Sequence, residues 1–97
     1  MMEDFKFRCE SDTMLAPLWK NTVRAALAFR PHWYLRGVLA HRGEQLDAEQ
    51  LKVFIETEAA FNQAFAAVKE AHDARHPQHA VPAGRLEAYE ICQPYDS

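Results

Sequence analysis

The stretch from Leu46 to Arg75 constrains the fold more than any other part of this 97-residue chain. Asp47 can accept from the backbone N–H of Gln50 and the Gln50 side chain can return to the Asp47 N–H, while Leu46 and Leu51 hold the flanking positions of a hydrophobic staple. Leu51, Phe54, Ile55, Phe61, Phe65 and Val68 then recur at spacings of three and four. Ala59, Ala60, Ala64, Ala66, Ala67, Ala71 and Ala74 raise helix propensity between them, and Pro77 supplies the stop. The pattern predicts one helix over about 47–75, roughly 40 Å long. Glu58 falls in the middle of its apolar stripe and is expected at the stripe's edge or paired with a base.

Leu15, Leu18, Trp19, Thr22, Val23, Ala26 and Leu27 share one helical face, so a second helix is expected over about 14–30, starting between Thr13 and Pro17 and ending before Pro31. A third, short helix is expected over about 31–42, with Pro31 in its first turn, Gly43 as a left-handed C-cap and Tyr34, Leu35, Val38 and Leu39 as its apolar stripe. The two ends read as strands. Phe5, Phe7 and Cys9 alternate with Lys6, Arg8 and Glu10, and "RLEAYEICQ" is rich in strand formers. Pairing of strands 4–10 and 85–93 in a small sheet under the helices makes an α+β, helix-dominated domain. The competing arrangement is an all-helical bundle with extended tails.

At this length and 48% apolar content the chain fits a single compact domain spanning 1–97. No apolar run approaches the eighteen or so residues of a membrane span, and "MMEDFKFRCE" alternates charge with aromatics where a secretory signal needs an apolar stretch. A cytoplasmic protein with no membrane partner is expected. Cys9 and Cys92 form neither a disulfide scaffold nor a C-x-x-C pair, and are expected as two reduced, half-buried thiols.

The net charge of −3 conceals a strong polarisation. Between 13 and 43 stand Lys20, Arg24, Arg30, Arg36 and Arg42 with no acid; from 44 onward ten acids face four bases. Such a chain either neutralises itself, basic segment on acidic helix, or shows a positive face to an anionic partner. The segment "RPHWYLRGVLAHRG" gathers Arg30, His32, Trp33, Tyr34, Arg36, His41 and Arg42 into one candidate interaction surface. Arginines and aromatics together have the composition of an interface anchor.

Arg36 and His41 also stand in an R-x-x-x-x-H spacing similar to the R-x(4–6)-H motif of helical nucleotide-binding or ribonuclease domains of the HEPN type. That resemblance implies an arginine that holds a phosphate and a histidine that acts in acid/base cleavage of RNA. The chain departs from the family in placing the motif in its first half, in interrupting it with Gly37 and in having no long helix before it. A related reading is sequence-independent nucleic-acid binding by segment 20–42, the bases neutralising phosphates and Trp33 or Tyr34 stacking on an unpaired base. Negative overall charge and bases spread around the segment favour instead core packing of Tyr34, Leu35, Val38 and Leu39, with solvated or internally paired arginines.

His72, His76 and His79, with Asp73 beside the first, form the one cluster with metal-ligand spacing, which Cys92 could complete. Polar histidines at the fraying, negative end of a helix are the commoner explanation. No phosphate cradle, nucleophile elbow, cofactor motif or perturbed carboxylate pair is present in the sequence. The expectation is therefore a small protein that acts by binding another protein, of the inhibitor, immunity-protein, antitoxin or phage-encoded inhibitor kind, with no catalysis and no cofactor. An alternative acidic surface, Glu49, Glu56, Glu70 and Asp73, could mimic phosphate spacing. Phe61 and Phe65 are candidates for a homodimer seam.

Overall fold

The computed structural model of the chain describes residues 2–80. They form three helices, α1 (Met2–Ser11), α2 (Ala16–His41) and α3 (Ala48–Arg75), and a final 3-10 turn at Pro77–His79. There is no strand among the described residues, so the expected α+β class gives way to a helical fold. The partner strand expected at 85–93 lies outside them, as does Cys92.

Residues 4–10 are helical for a reason visible in their exposures. Phe5 and Cys9 are both fully buried, whereas Phe7 between them is 70% exposed. A separation of four fits one face of a helix as well as one face of a strand, and Phe7 alone distinguishes the two. The Phe5 ring packs edge-on to Trp19 at 6.0 Å and lies 6.1 Å from Phe65, so α1 lies against both longer helices.

The helices expected at 14–30 and 31–42 are one. Pro17 sits in the first turn of α2, but Pro31 lies inside it. A proline there removes one backbone bond and crowds the preceding turn, at a cost of about 3 kcal/mol. Ala26, Phe29 and Trp33 form a single stripe across it, and Phe29 lies 5.2 Å from Phe54 and 6.0 Å from Phe61 across the interface with α3. Pro31 and Leu27 are both exposed, so water can meet the Leu27 carbonyl left without a donor. Tertiary packing overrides the break.

Gly43, at φ 75°, ends α2 with the Glu44 N–H donating to the Leu39 carbonyl at 2.7 Å and the Gly43 N–H to that of Ala40 at 3.0 Å, a Schellman cap. Asp47 and Gln50 then exchange bonds of 2.8 and 3.0 Å, as the sequence predicts. The antiparallel α2–α3 hairpin is the body of the domain. Its seam carries Phe54, Phe61, Phe65 and Val68 from α3 and Trp19, Thr22, Ala26 and Phe29 from α2. The Thr22 hydroxyl, within reach of both the Leu18 carbonyl at 2.9 Å and the Ala64 carbonyl at 3.2 Å, is the seam's polar tie. Phe61 and Phe65 are consumed by this core and offer no homodimer seam. No described helix is long and apolar enough to cross a membrane.

Candidate functional site

Helix lengths decide where the surface stays bare. At about 1.5 Å per residue α1 covers about 15 Å of a hairpin about 40 Å long. It occupies the end where α2 begins and α3 finishes, bordering Trp19, Lys20 and Val23 on one side and His72 on the other. Continuing from Val23 along α2 come Leu27, Tyr34 and Val38, and back along α3 from Phe65 come Ile55 and Leu51. Within about 80° of helical phase these residues line up with the strip that α1 covers. All five beyond the reach of α1 are between 40% and 57% exposed. Leu51 therefore does not act as a buried staple residue, and Tyr34 and Val38 are not core.

A groove of about 600 Å³ lies at this bare end, lined by Trp33, Tyr34, Arg36, Gly37, Val38, His41 and Arg42. Trp33 is half-buried, with its ring 5.1 Å from that of Tyr34. Gly37 does not interrupt the helix; a Cβ built there meets nothing within 4 Å, so the missing side chain leaves a notch in the groove. Five of the seven residues singled out in the sequence line this groove. Arg30 and His32, both half-buried, stand outside the lining.

Among the described residues the basic segment's charges are not cancelled. None of Lys20, Arg24, Arg30, Arg36 and Arg42 enters an ion pair among the described residues. Glu58 is half-buried at the edge of its stripe, and it too makes no ion pair among them. Because α2 is unbroken, helical phase runs across Pro31. Lys20, Arg24 and Arg42 then fall within about 40° of one another on its outer side, rather than spreading around the segment. Arg36 points elsewhere, its guanidinium 4.6 Å from the centroid of the Phe54 ring. Arg36 and His41 line the same groove, turned about 140° apart around α2.

The histidine cluster is structural. His72 is fully buried rather than fraying into solvent. Arg8 Nε donates to its Nε2 at 2.8 Å, and because a guanidinium cannot accept, His72 is neutral with its proton on Nδ1, which lies 2.9 Å from Asp73 Oδ1. Burial holds its pKa below the ordinary value; the Arg8 charge acts in the same direction, against the Asp73 hydrogen bond. Lys69 closes on the other Asp73 oxygen at 2.8 Å. Asp73 thus leaves the proposed acidic surface, while Glu49, Glu56 and Glu70 remain exposed on α3. His76 reaches Asp12 Oδ2 at 3.1 Å, where Arg75 Nε also donates at 2.7 Å. That Arg75 bond, first among several, holds the Asp12 carboxyl down at about 2. His79 is exposed, and no group of three or more metal-binding side chains occurs among the described residues. Cys9, buried beside this network, has its thiol pushed up to about 11 by burial, which keeps it protonated and unreactive.

No protein-family model, curated protein or solved structure matches the chain.

Sequence reasoning found the arginine–aromatic segment but missed Leu27, Gly37, Leu51 and Ile55 as parts of its surface. Their exposure follows from the shortness of α1, which appears only when its docking position is known.

Proposed function

We propose that this chain is a protein-binding domain that holds its partner on the bare half of the hairpin, around the groove between Trp33 and Arg42. The observation that carries the reading is the continuity between the strip covered by α1 and the exposed row Leu27, Tyr34, Val38, Leu51 and Ile55. The first half of that strip is sealed by a helix; the second half has exposed apolar side chains next to arginines that meet no acid among the described residues. Aromatic and arginine side chains around an apolar floor are what protein interfaces concentrate. Inhibitors, immunity proteins and antitoxins are the class of small protein that this reading favours, with the chain itself carrying no chemistry.

The test is comparative capture from the native host. Wild type should retain a protein that Val38→Glu loses and Phe7→Glu, altered at an exposed site on α1, keeps. Equal retention by all three refutes the surface, and retained material that ribonuclease or deoxyribonuclease removes assigns the segment to nucleic acid instead.

A further inference from the structure

Resting on that reading, we propose that the partner presents an acidic amphipathic helix of about sixteen residues, laid end to end with α1 on the part of the hairpin that α1 does not reach. The length follows from the hairpin. With α1 ten residues long and α2 twenty-six, α1 leaves about 24 Å of the seam beyond its reach, which is between four and five turns of helix.

The mode of docking is copied from α1 itself, which seats Phe5 and Cys9, four residues apart, against the seam and flanks them with a charged side chain, Arg8. A helix occupying the other half needs apolar residues at the same spacing to cover Leu27, Tyr34, Val38, Leu51 and Ile55. The Gly37 notch takes its largest side chain, since nothing lies within 4 Å of the absent Cβ.

The sign of its charge is set by the α2 edge. No acid lines the groove among the described residues, and Arg42 and His41 are exposed along it, with Arg30 half-buried nearby. Aspartate and glutamate on the edge that meets α2 pair with these bases. The α3 edge carries Leu51, Ile55 and the half-buried Glu58, so it asks for apolar contact rather than more carboxylate. A basic helix meets Arg42 with like charge and is rejected.

The experiment is selection of phage-displayed helical peptides, randomised over about sixteen residues, on the full-length protein. Two variants serve as counter-targets: Gly37→Leu, which fills the notch at a position where added atoms meet nothing, and Arg42→Glu, which reverses an exposed charge. The expected pool carries apolar residues at spacings of three and four and an excess of acid on one edge. A synthetic member of it loses about tenfold or more in affinity toward each variant, and weakens as salt is added. A neutral or basic pool, or no pool, overturns the inference; so does a labelled single-stranded RNA that binds wild type and not Gly37→Leu. If selection fails while Val38→Glu still abolishes capture of a host protein, the docking surface stands and the acidic helix alone falls.

Discussion

Arg8 Nε lies 2.8 Å from Nε2 of His72, an arginine donating to the lone pair of a fully buried imidazole and joining two helices 64 positions apart in the chain. Because the bond exists only while His72 is neutral, it ties the seating of α1 to pH.

With its folded pKa held below the ordinary 6.5, His72 gives its full stabilisation above 6.5. As pH falls below that value the unfolded chain takes up a proton that the folded imidazole refuses, and stability declines by at most about 1.4 kcal/mol per pH unit for this one group. Denaturant midpoints measured on either side of 6.5 should show the decline. His72→Gln should flatten it, since an amide can accept from Arg8 and donate to Asp73 without titrating. A further loss, as Asp12 is protonated, belongs between its ordinary 3.8 and about 2.

The N-terminal segment offers a sharp contrast between neighbours. Phe5→Ala empties a site packed against Trp19, Phe65 and His72 and is expected to cost about 3–5 kcal/mol. Phe7→Ala, on the solvent side, should change stability by no more than about 0.5 kcal/mol. Thermal or denaturant unfolding of the two variants checks the assignment: a half-buried strand would make both substitutions costly.

This contrast also explains what the sequence conceals. Phe5 and Cys9 satisfy periods of two and of 3.6 equally, so the alternation with Lys6, Arg8 and Glu10 imitates a strand, and the deciding residue, Phe7, declares itself only through its exposure. Where a signal has one physical meaning it reads correctly: Asp47 with Gln50, Gly43 at positive φ and Pro17 in a first turn all stand where expected. Pro31 misleads because its cost of about 3 kcal/mol is offset by packing of Phe29 on Phe54 and Phe61, from a helix far away in sequence. Of the candidate site, the arginine–aromatic composition is legible in the chain, whereas the bareness of Val38 and Ile55 depends on how far another helix extends.

Two residues that disfavour helix, Pro31 and Gly37, lie inside the continuous α2, and replacing either should raise stability. Pro31→Ala should restore a backbone bond and raise stability, by up to about 3 kcal/mol. Gly37→Ala should add about 0.5–1 kcal/mol, its methyl entering open space. Thermal midpoints should rise for both. A fall with Pro31→Ala would mean that α2 is broken at that residue.

The central prediction is that the protein meets its partner on the half of the hairpin that α1 does not cover. Site-specific photocrosslinking in the native host reads this directly, with a benzophenone amino acid placed in turn at Val38, Ile55 and, as the control, Phe7. One protein adduct shared by positions 38 and 55 and missing at 7 is the expected result. Adducts that are strongest at 7, or that consist of nucleic acid at 38, would contradict it.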